Sequence, residues 1–191
     1  MKSYLYIGLS LLMLVAASVH AKADDYAGNT VYVKSSPDGQ CYAKAIPAEA
    51  YGSKGMTKIY VVREGADQLV DTYSWYAPQI DLQVTAWGIS VVRIGSWRRG
   101  QKPDANDLGI GFYLSGKTLK EHSTLDISRV GNNSGGVLSY FGITGVKGYR
   151  RIRSNDYAFD VETGSDKTIS FDVRTGALSA QPNDSFNQTR K

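Results

Sequence analysis

The sequence predicts an all-β protein, mostly an antiparallel meander. Short runs of alternating apolar residues recur along the chain, and glycine-containing turns separate them. The clearest example is the hairpin at residues 168–178, where Thr175-Gly176 can supply the positive φ of a tight turn. Helical periodicity of useful length is missing after residue 24, apart from a weak pattern at residues 47–51, so no long helix is expected.

The first group of strands begins near Thr30. A strand at residues 30–34 leads into the turn Ser36-Pro37-Asp38-Gly39, in which proline fixes φ, aspartate bonds to nearby backbone and glycine accepts positive φ. A loop is expected at residues 47–55. The strands of this group that follow the turn are predicted at residues 41–46, 57–62 and 68–75.

Two further groups of strands follow. The second is predicted at residues 89–94, 108–114 and 118–123. A glycine-rich segment at residues 131–136 then precedes one or two strands, and the third group is predicted at residues 157–161, 168–173 and 177–179. The groups begin at unequal intervals, so they do not establish a sequence repeat, and whether they share one sheet stays open.

The turn at residues 36–39 and the Ile59-Tyr60 pair resemble the blade motif of periplasmic propellers of the TolB type. Later candidates for this motif, at Trp87-Gly88 and Ser154-Asn155-Asp156, lack the Pro-Asp-Gly core of the turn. A closed propeller usually has about four to eight four-stranded blades, and this chain has strands for about three. The expected arrangement is therefore a partial propeller-like meander or an open sandwich.

The first residues resemble a targeting segment. Lys2 precedes an apolar run at residues 4–17, and small residues follow it, which is typical of a signal peptide cleaved after Ala21 or Ala23. The run is shorter than the roughly 20 residues that a membrane-spanning helix needs, and no later stretch could span a membrane. We therefore expect an exported protein, periplasmic or secreted, with a single all-β domain at residues 24–180 and a disordered tail at residues 181–191.

Charge and cysteine content limit the possible partners. The formal charge of +4 falls to +3 when residues 1–21 are removed, because Lys2 is the only charged residue among them. This excess is too small to indicate a nucleic-acid partner. Cys41 is the only cysteine, so no intramolecular disulfide can form, and we predict a small apolar residue at the start of a strand.

Few residues offer catalytic chemistry. His20 leaves with the signal peptide, and His122 is expected to be a half-exposed strand residue. No catalytic residue, metal site or cofactor is predicted, and we do not expect an enzyme. The alternative is a cell-wall or polysaccharide hydrolase that pairs two of Asp160, Glu162 and Asp172, which alternate along neighbouring strands and would otherwise mark a solvated face.

Aromatic and basic residues at strand ends predict a binding surface. Aromatic and arginine side chains dominate interface hot spots, and the chain places such residues at Trp75, Tyr76, Trp87, Trp97, Arg98, Arg99 and Lys102. A second basic run at residues 147–153 is interpreted as a strand with one wet face. The hypothesis is a non-enzymatic binding or interaction module for another envelope protein or an anionic ligand, with self-association as a further possibility.

Overall fold

The computed structural model describes residues 28–95, 103–130, 143–154, 156–163 and 167–179. The predicted signal segment, the glycine-rich segment at residues 131–136 and the tail at residues 181–191 lie outside these ranges. The described part contains eleven strands and one short helix, α1: β1 (Tyr32–Ser35), β2 (Cys41–Pro47), β3 (Gly55–Val61), β4 (Gln68–Tyr73), β5 (Gln79–Thr85), β6 (Gly88–Ile94), β7 (Leu108–Leu114), β8 (Lys117–Ser123), α1 (Thr124–Val130), β9 (Ile143–Arg153), β10 (Asp156–Thr163) and β11 (Thr168–Asp172).

The strands form three antiparallel sheets. The first sheet has the order β1-β2-β3-β4, the middle sheet β5-β6-β7-β8, and the third sheet β11-β10-β9. The three predicted groups of strands therefore correspond to three separate sheets. The prediction of an all-β, mostly antiparallel fold is confirmed, and the sheets form an open sandwich rather than a closed barrel.

The middle sheet is covered on both faces. Neighbouring residues of β6 point to opposite sides, so that Val91 packs toward the first sheet and Val92 toward the third. Such a doubly buried sheet has near-continuous apolar strands, as in β7. One core contains Cys41, Ala43, Ala45, Ile59, Tyr73, Ile80, Leu82, Val91 and Tyr113, and the other contains Val92, Ile94, Ile110, Phe112, Ile127, Tyr157, Phe159, Val161, Ile169 and Phe171.

Most predicted strands are confirmed with shifted ends, and the turn at residues 36–39 is present, with φ +71° at Gly39. Two strands differ from the prediction. Strand β5 was not predicted, although Ile80, Leu82 and Val84 alternate with polar residues, and Ile80 and Leu82 are buried. The predicted strand at residues 177–179 is reduced to a single bridge between Leu178 and Phe171.

The short helix α1, of seven residues, was not among the predicted elements. Ser123 and Asp126 form a reciprocal cap: the Ser123 N–H donates to Asp126 Oδ2 at 3.0 Å, and the Asp126 N–H donates to Ser123 Oγ at 3.1 Å. Ile127 then packs into the core. Within the described ranges, no helix has the length and apolar character needed to cross a membrane.

His122 is buried rather than half-exposed, with 4% of its surface accessible. The turn after β11 covers it, and the His122 Nε2 lies 2.7 Å from the carbonyl oxygen of Gly176. A Cβ on Gly176 would lie 2.8 Å from the Cβ of Lys120, so only glycine lets this turn approach β8 closely. The alternating pattern of residues along β8 does not indicate that the turn at Gly176 covers His122.

The end of β9 also differs from the prediction of one wet face. Arg151, Ile152 and Arg153 are all exposed, and Ile152 retains 50% of its accessible surface. Strand β9 is an edge strand of the third sheet, so that one of its sides has no strand neighbour among the described residues.

Candidate functional site

The predicted binding residues do not form one described cluster. Trp97, Arg98, Arg99 and Lys102 lie outside the described residues. Trp75 and Tyr76 follow β4 and lie between the first and middle sheets. Trp87 lies in the turn between β5 and β6, where Arg174 stacks over its ring with the guanidinium carbon 5.0 Å from the ring centroid. Trp87 is 45% exposed.

The first sheet carries a two-sided pattern that the sequence analysis did not identify. Along β2 the small residues Cys41, Ala43 and Ala45 are fully buried, while the intervening residues face outward. Small inward residues let the first sheet pack closely on the middle sheet. We define the outer face by the residues on the opposite side, Val33, Tyr42, Lys44, Ile46, Met56, Lys58, Tyr60, Leu69 and Thr72.

This outer face is rich in exposed apolar side chains. Val33 is 58% exposed, Leu69 is 46% exposed and Met56 is 40% exposed. Six of the eleven large apolar side chains that are exposed among the described residues belong to this sheet or to residues next to its strands: Val31, Val33, Met56, Val62, Leu69 and Val70. Contiguous exposed apolar surface is typical of an interaction site, whereas scattered exposed residues are not.

Aromatic and basic residues complete the outer face. The rings of Tyr42 and Tyr60 stack at 5.0 Å with an interplanar angle of 13°. The Tyr42 hydroxyl donates to Asp67 Oδ2 at 3.0 Å, which fixes the ring. Lys44 and Lys58 are cross-strand partners, and neither has an ion-pair or hydrogen-bond partner through its side chain within the described ranges.

A cavity of about 300 Å³ opens at the ends of β6 and β7. Its wall includes Arg93 from β6 and Asp107 from the segment before β7, and these two are the only charged residues of the wall within the described part of the chain. The remaining lining residues are Gly52, Ser53, Tyr76, Ala77, Pro78, Ile94, Gly95, Asn106 and Leu108. The described lining is therefore polar and carries a single charge of each sign.

Arg93 is the most unusual residue of this cavity. Only 11% of its side chain is exposed, and its guanidinium carbon lies 4.7 Å from the ring centroid of Trp75. Nη1 lies 3.8 Å from Glu121 Oε1, and Nη2 donates to the Tyr76 carbonyl at 3.4 Å. The buried Nε has no hydrogen-bond partner among the described residues. The Tyr113 hydroxyl is a further hydrogen-bond partner of Arg93, and Nε is the donor that stays unused among the described residues.

The aromatic residues around Arg93 are structural. Tyr76 is 2% exposed, and its hydroxyl donates to the Thr30 carbonyl at 3.1 Å. Trp75 stacks on Tyr73 at 4.9 Å, and burial raises the pKa of Tyr73 to about 12. Burial also raises the pKa of Tyr113, whose hydroxyl donates to Glu121. These phenols stay neutral at physiological pH and act as hydrogen-bond donors.

Each carboxylate of the hydrolase hypothesis has a cationic partner. Arg150 and Ser170 both bond to Asp160, Lys147 lies 2.9 Å from Glu162, and Arg174 lies 2.9 Å from Asp172. The expectation that all three acids lie on a solvated face is wrong for Asp160, which is 5% exposed because Arg150 and Ser170 cover it. Arg174 lowers the pKa of Asp172, so this carboxyl is a poor proton donor.

The geometry thus presents two features that could bind a partner, the outer face of the first sheet and the cavity beside Arg93. Comparison of the chain with protein-family models, with curated proteins and with solved structures yields no match.

Proposed function

We propose that this chain is an exported, non-enzymatic interaction module that binds an acidic, partly apolar segment of another protein on the outer face of its first sheet. One observation carries the proposal: a single sheet face combines exposed apolar residues, a stacked tyrosine pair and two unpaired lysines. Tyrosine is enriched at protein interfaces, and a partner that covers exposed apolar side chains gains free energy in proportion to the apolar area removed from water.

The lysines determine the chemistry of the partner. Like charges directly opposite each other on neighbouring strands destabilise a sheet, and Lys44 and Lys58 occupy such positions. A carboxylate between them would offset this repulsion and form charge-assisted hydrogen bonds with both ammonium groups. The partner segment therefore carries acidic residues flanked by apolar ones.

Two other occupants fit the outer face less well. A second copy of this chain, docked through the same face about a two-fold axis, would bring four lysines together, and Asp67 beside this face already accepts a hydrogen bond from Tyr42. An anionic membrane is broader than the sheet and would also meet the carboxylates of Glu64 and Asp67, which lie in the connection between β3 and β4. A protein segment avoids both conflicts because it can follow the strands alone.

Site-specific crosslinking tests this proposal. A photo-crosslinking residue at Thr72, whose cross-strand partner is Lys58, is exposed to an extract of the cell envelope, and the crosslinked peptides are identified by mass spectrometry. We expect capture of one protein through a segment rich in Asp or Glu. The double variant Lys44→Glu/Lys58→Glu should reduce capture at least tenfold, whereas Lys117→Glu, a charge reversal on the exposed start of β8, should not.

The other outcomes are equally informative. If capture is lost in Arg98→Ala/Arg99→Ala but not in Lys44→Glu/Lys58→Glu, the interface is the predicted loop with Arg98 and Arg99 rather than the outer face. Crosslinking only to the protein itself would establish self-association instead. Asp160→Asn and Asp172→Asn should leave capture unchanged, and a loss of polysaccharide cleavage in these variants would favour the hydrolase.

A further inference from the structure

We propose that the cavity beside Arg93 binds a small ligand that carries a carboxylate and an ammonium group, of the α-amino-acid type. The two charged residues of the wall supply one partner for each group, Arg93 for the carboxylate and Asp107 for the ammonium. This site is separate from the outer face of the first sheet and does not depend on the function proposed for that face.

The state of Arg93 identifies the first half of the ligand. A charged group that is taken out of water needs close partners, because the loss of hydration is costly. Among the described residues, the hydrogen bond of Arg93 to Tyr76 is 3.4 Å long and its contact to Glu121 is 3.8 Å, and its further partner, the Tyr113 hydroxyl, already donates to Glu121. A carboxylate can accept two parallel N–H bonds from a guanidinium, which makes it the best-matched anion for such a residue.

Trp75 and Glu121 orient Arg93 before any ligand binds. The Trp75 ring stacks on the guanidinium. Arg93 on β6 and Glu121 on β8 are both register partners of Gly111 on β7, the strand between them. A Cβ on Gly111 would lie 2.8 Å from the Tyr113 hydroxyl, so the space beneath the arginine depends on this glycine. A preorganised guanidinium loses little conformational entropy on binding.

Asp107 identifies the second half of the ligand. Its side chain is exposed and makes no hydrogen bond or ion pair with the described residues, including Arg93. A ligand with a carboxylate alone would leave this negative charge facing an anion. A ligand that also carries an ammonium group satisfies both residues, and its zero net charge matches the one positive and one negative residue of the described lining.

The size of the cavity limits the ligand. A volume of about 300 Å³ lies at the lower end of the range for ligand pockets, which is roughly 300 to 1,000 Å³. Ser53 and Asn106 add hydroxyl and amide groups to the wall, so a polar side chain can be accommodated. The site therefore suits a single amino acid better than a polymer.

Calorimetric titration with matched compounds tests the assignment. L-alanine is compared with propionate, which lacks the ammonium group, and with ethylammonium, which lacks the carboxylate. L-glutamine is compared in the same way with glutaramate and with 4-aminobutanamide. We expect at least one amino acid to bind tenfold or more tightly than both of its analogues. In Asp107→Asn, the amino acid should no longer bind more tightly than the analogue that has only the carboxylate. The control Glu64→Gln, which changes an exposed carboxylate of the β3–β4 connection, should keep this difference in affinity.

Arg93→Gln should weaken both the amino acid and the carboxylate analogue tenfold or more. Because Arg93 is largely buried, Arg93→Gln can also lower the stability of the protein. Asp107 is exposed, so Asp107→Asn tests the site without disturbing the fold. Equal binding of the amino acid and its carboxylate analogue, binding that survives both variants, or binding of neither amino acid would overturn the proposal. The Lys44→Glu/Lys58→Glu variant should bind amino acids normally, which separates this site from the outer face.

Discussion

Lys44 on β2 and Lys58 on β3 are direct cross-strand partners, and both lie on the outer face of the first sheet. Their nearest partners along the same face are Val33 next to Lys44 and Thr72 next to Lys58, neither of which carries a charge. The sheet therefore retains a repulsive pair at its centre, a position where an ion pair would stabilise it.

Replacement of one lysine should stabilise the protein. In Lys44→Glu the repulsive pair becomes an ion pair, and we expect the free energy of unfolding to rise by about 0.2 to 1 kcal/mol at low salt. Urea unfolding at 20 mM and 1 M NaCl measures this gain, which should shrink at high salt because salt screens surface charges. The same variant should bind the acidic partner less well.

The charge-swapped variants provide the control for this prediction. Lys58→Glu should stabilise the sheet by a similar amount, while the double variant Lys44→Glu/Lys58→Glu restores a like-charge pair and should return to the stability of the parent protein. A stabilisation of the double variant that equals the sum of the single effects would show that the two residues do not interact.

The three sheets could be predicted in outline because alternating patterns and glycine turns are local signals. Strand β5 carries the same alternation and was overlooked, but the sequence does not show that its polar residues are also covered: Asp81 pairs with Lys34 at 2.9 Å and Gln83 bonds to Asp38 at 3.3 Å. Both partners come from around the β1–β2 turn, more than 40 residues away in the chain. Polar residues that are satisfied by another sheet are indistinguishable in sequence from those that face water.

Helix α1 did carry a local signal. Ser123 and Asp126 have the spacing of a capping box, but the seven residues of the helix are too few to show periodicity.

The candidate sites are harder to predict from the sequence than the strands and the helix. The outer face could have been recognised from the small and large residues that alternate along β2, whereas the burial of Arg93 depends on Trp75 and Glu121, which only the sheet packing brings to it.

His122 should connect the middle and third sheets through one hydrogen bond. A carbonyl oxygen only accepts, so the His122 Nε2 must carry the hydrogen that it donates to Gly176 at 2.7 Å. We expect His122→Ala to lower the free energy of unfolding by roughly 2 to 4 kcal/mol, because it leaves a buried carbonyl without a partner and creates a cavity beside Phe112 and Phe171.

Nitrogen NMR of the ring provides the direct check on this hydrogen bond, since it reports which ring nitrogen carries the hydrogen. Variant His122→Gln supplies a control, because its amide N–H can still reach an acceptor, and it should lose less stability than His122→Ala. A histidine with hydrogen on Nδ1 only, or equal stability of both variants, would contradict the role of this bond.

Asp71 on β4 should make the stability depend on pH in the opposite direction to a paired carboxylate. Burial raises the pKa of Asp71, and its side chain has no hydrogen-bond partner within the described residues. Because the folded-state pKa exceeds the unfolded value of about 3.9, ionisation of Asp71 opposes folding. This penalty is complete at pH values above the folded pKa and disappears as the pH falls below about 3.9.

The variant Asp71→Asn should therefore be more stable than the parent protein at pH 7, by less than about 1 kcal/mol because the group is partly solvated. Urea unfolding of both proteins at pH 7 and pH 3.5 isolates the contribution of this residue, since all other acids titrate equally in both. The gain should vanish at pH 3.5, and Asp107→Asn, at an exposed position, should show no comparable gain at pH 7. A gain of equal size at both pH values would mean that the amide improves packing against the turn at Gly116, whose backbone approaches Asp71, rather than removing a buried charge.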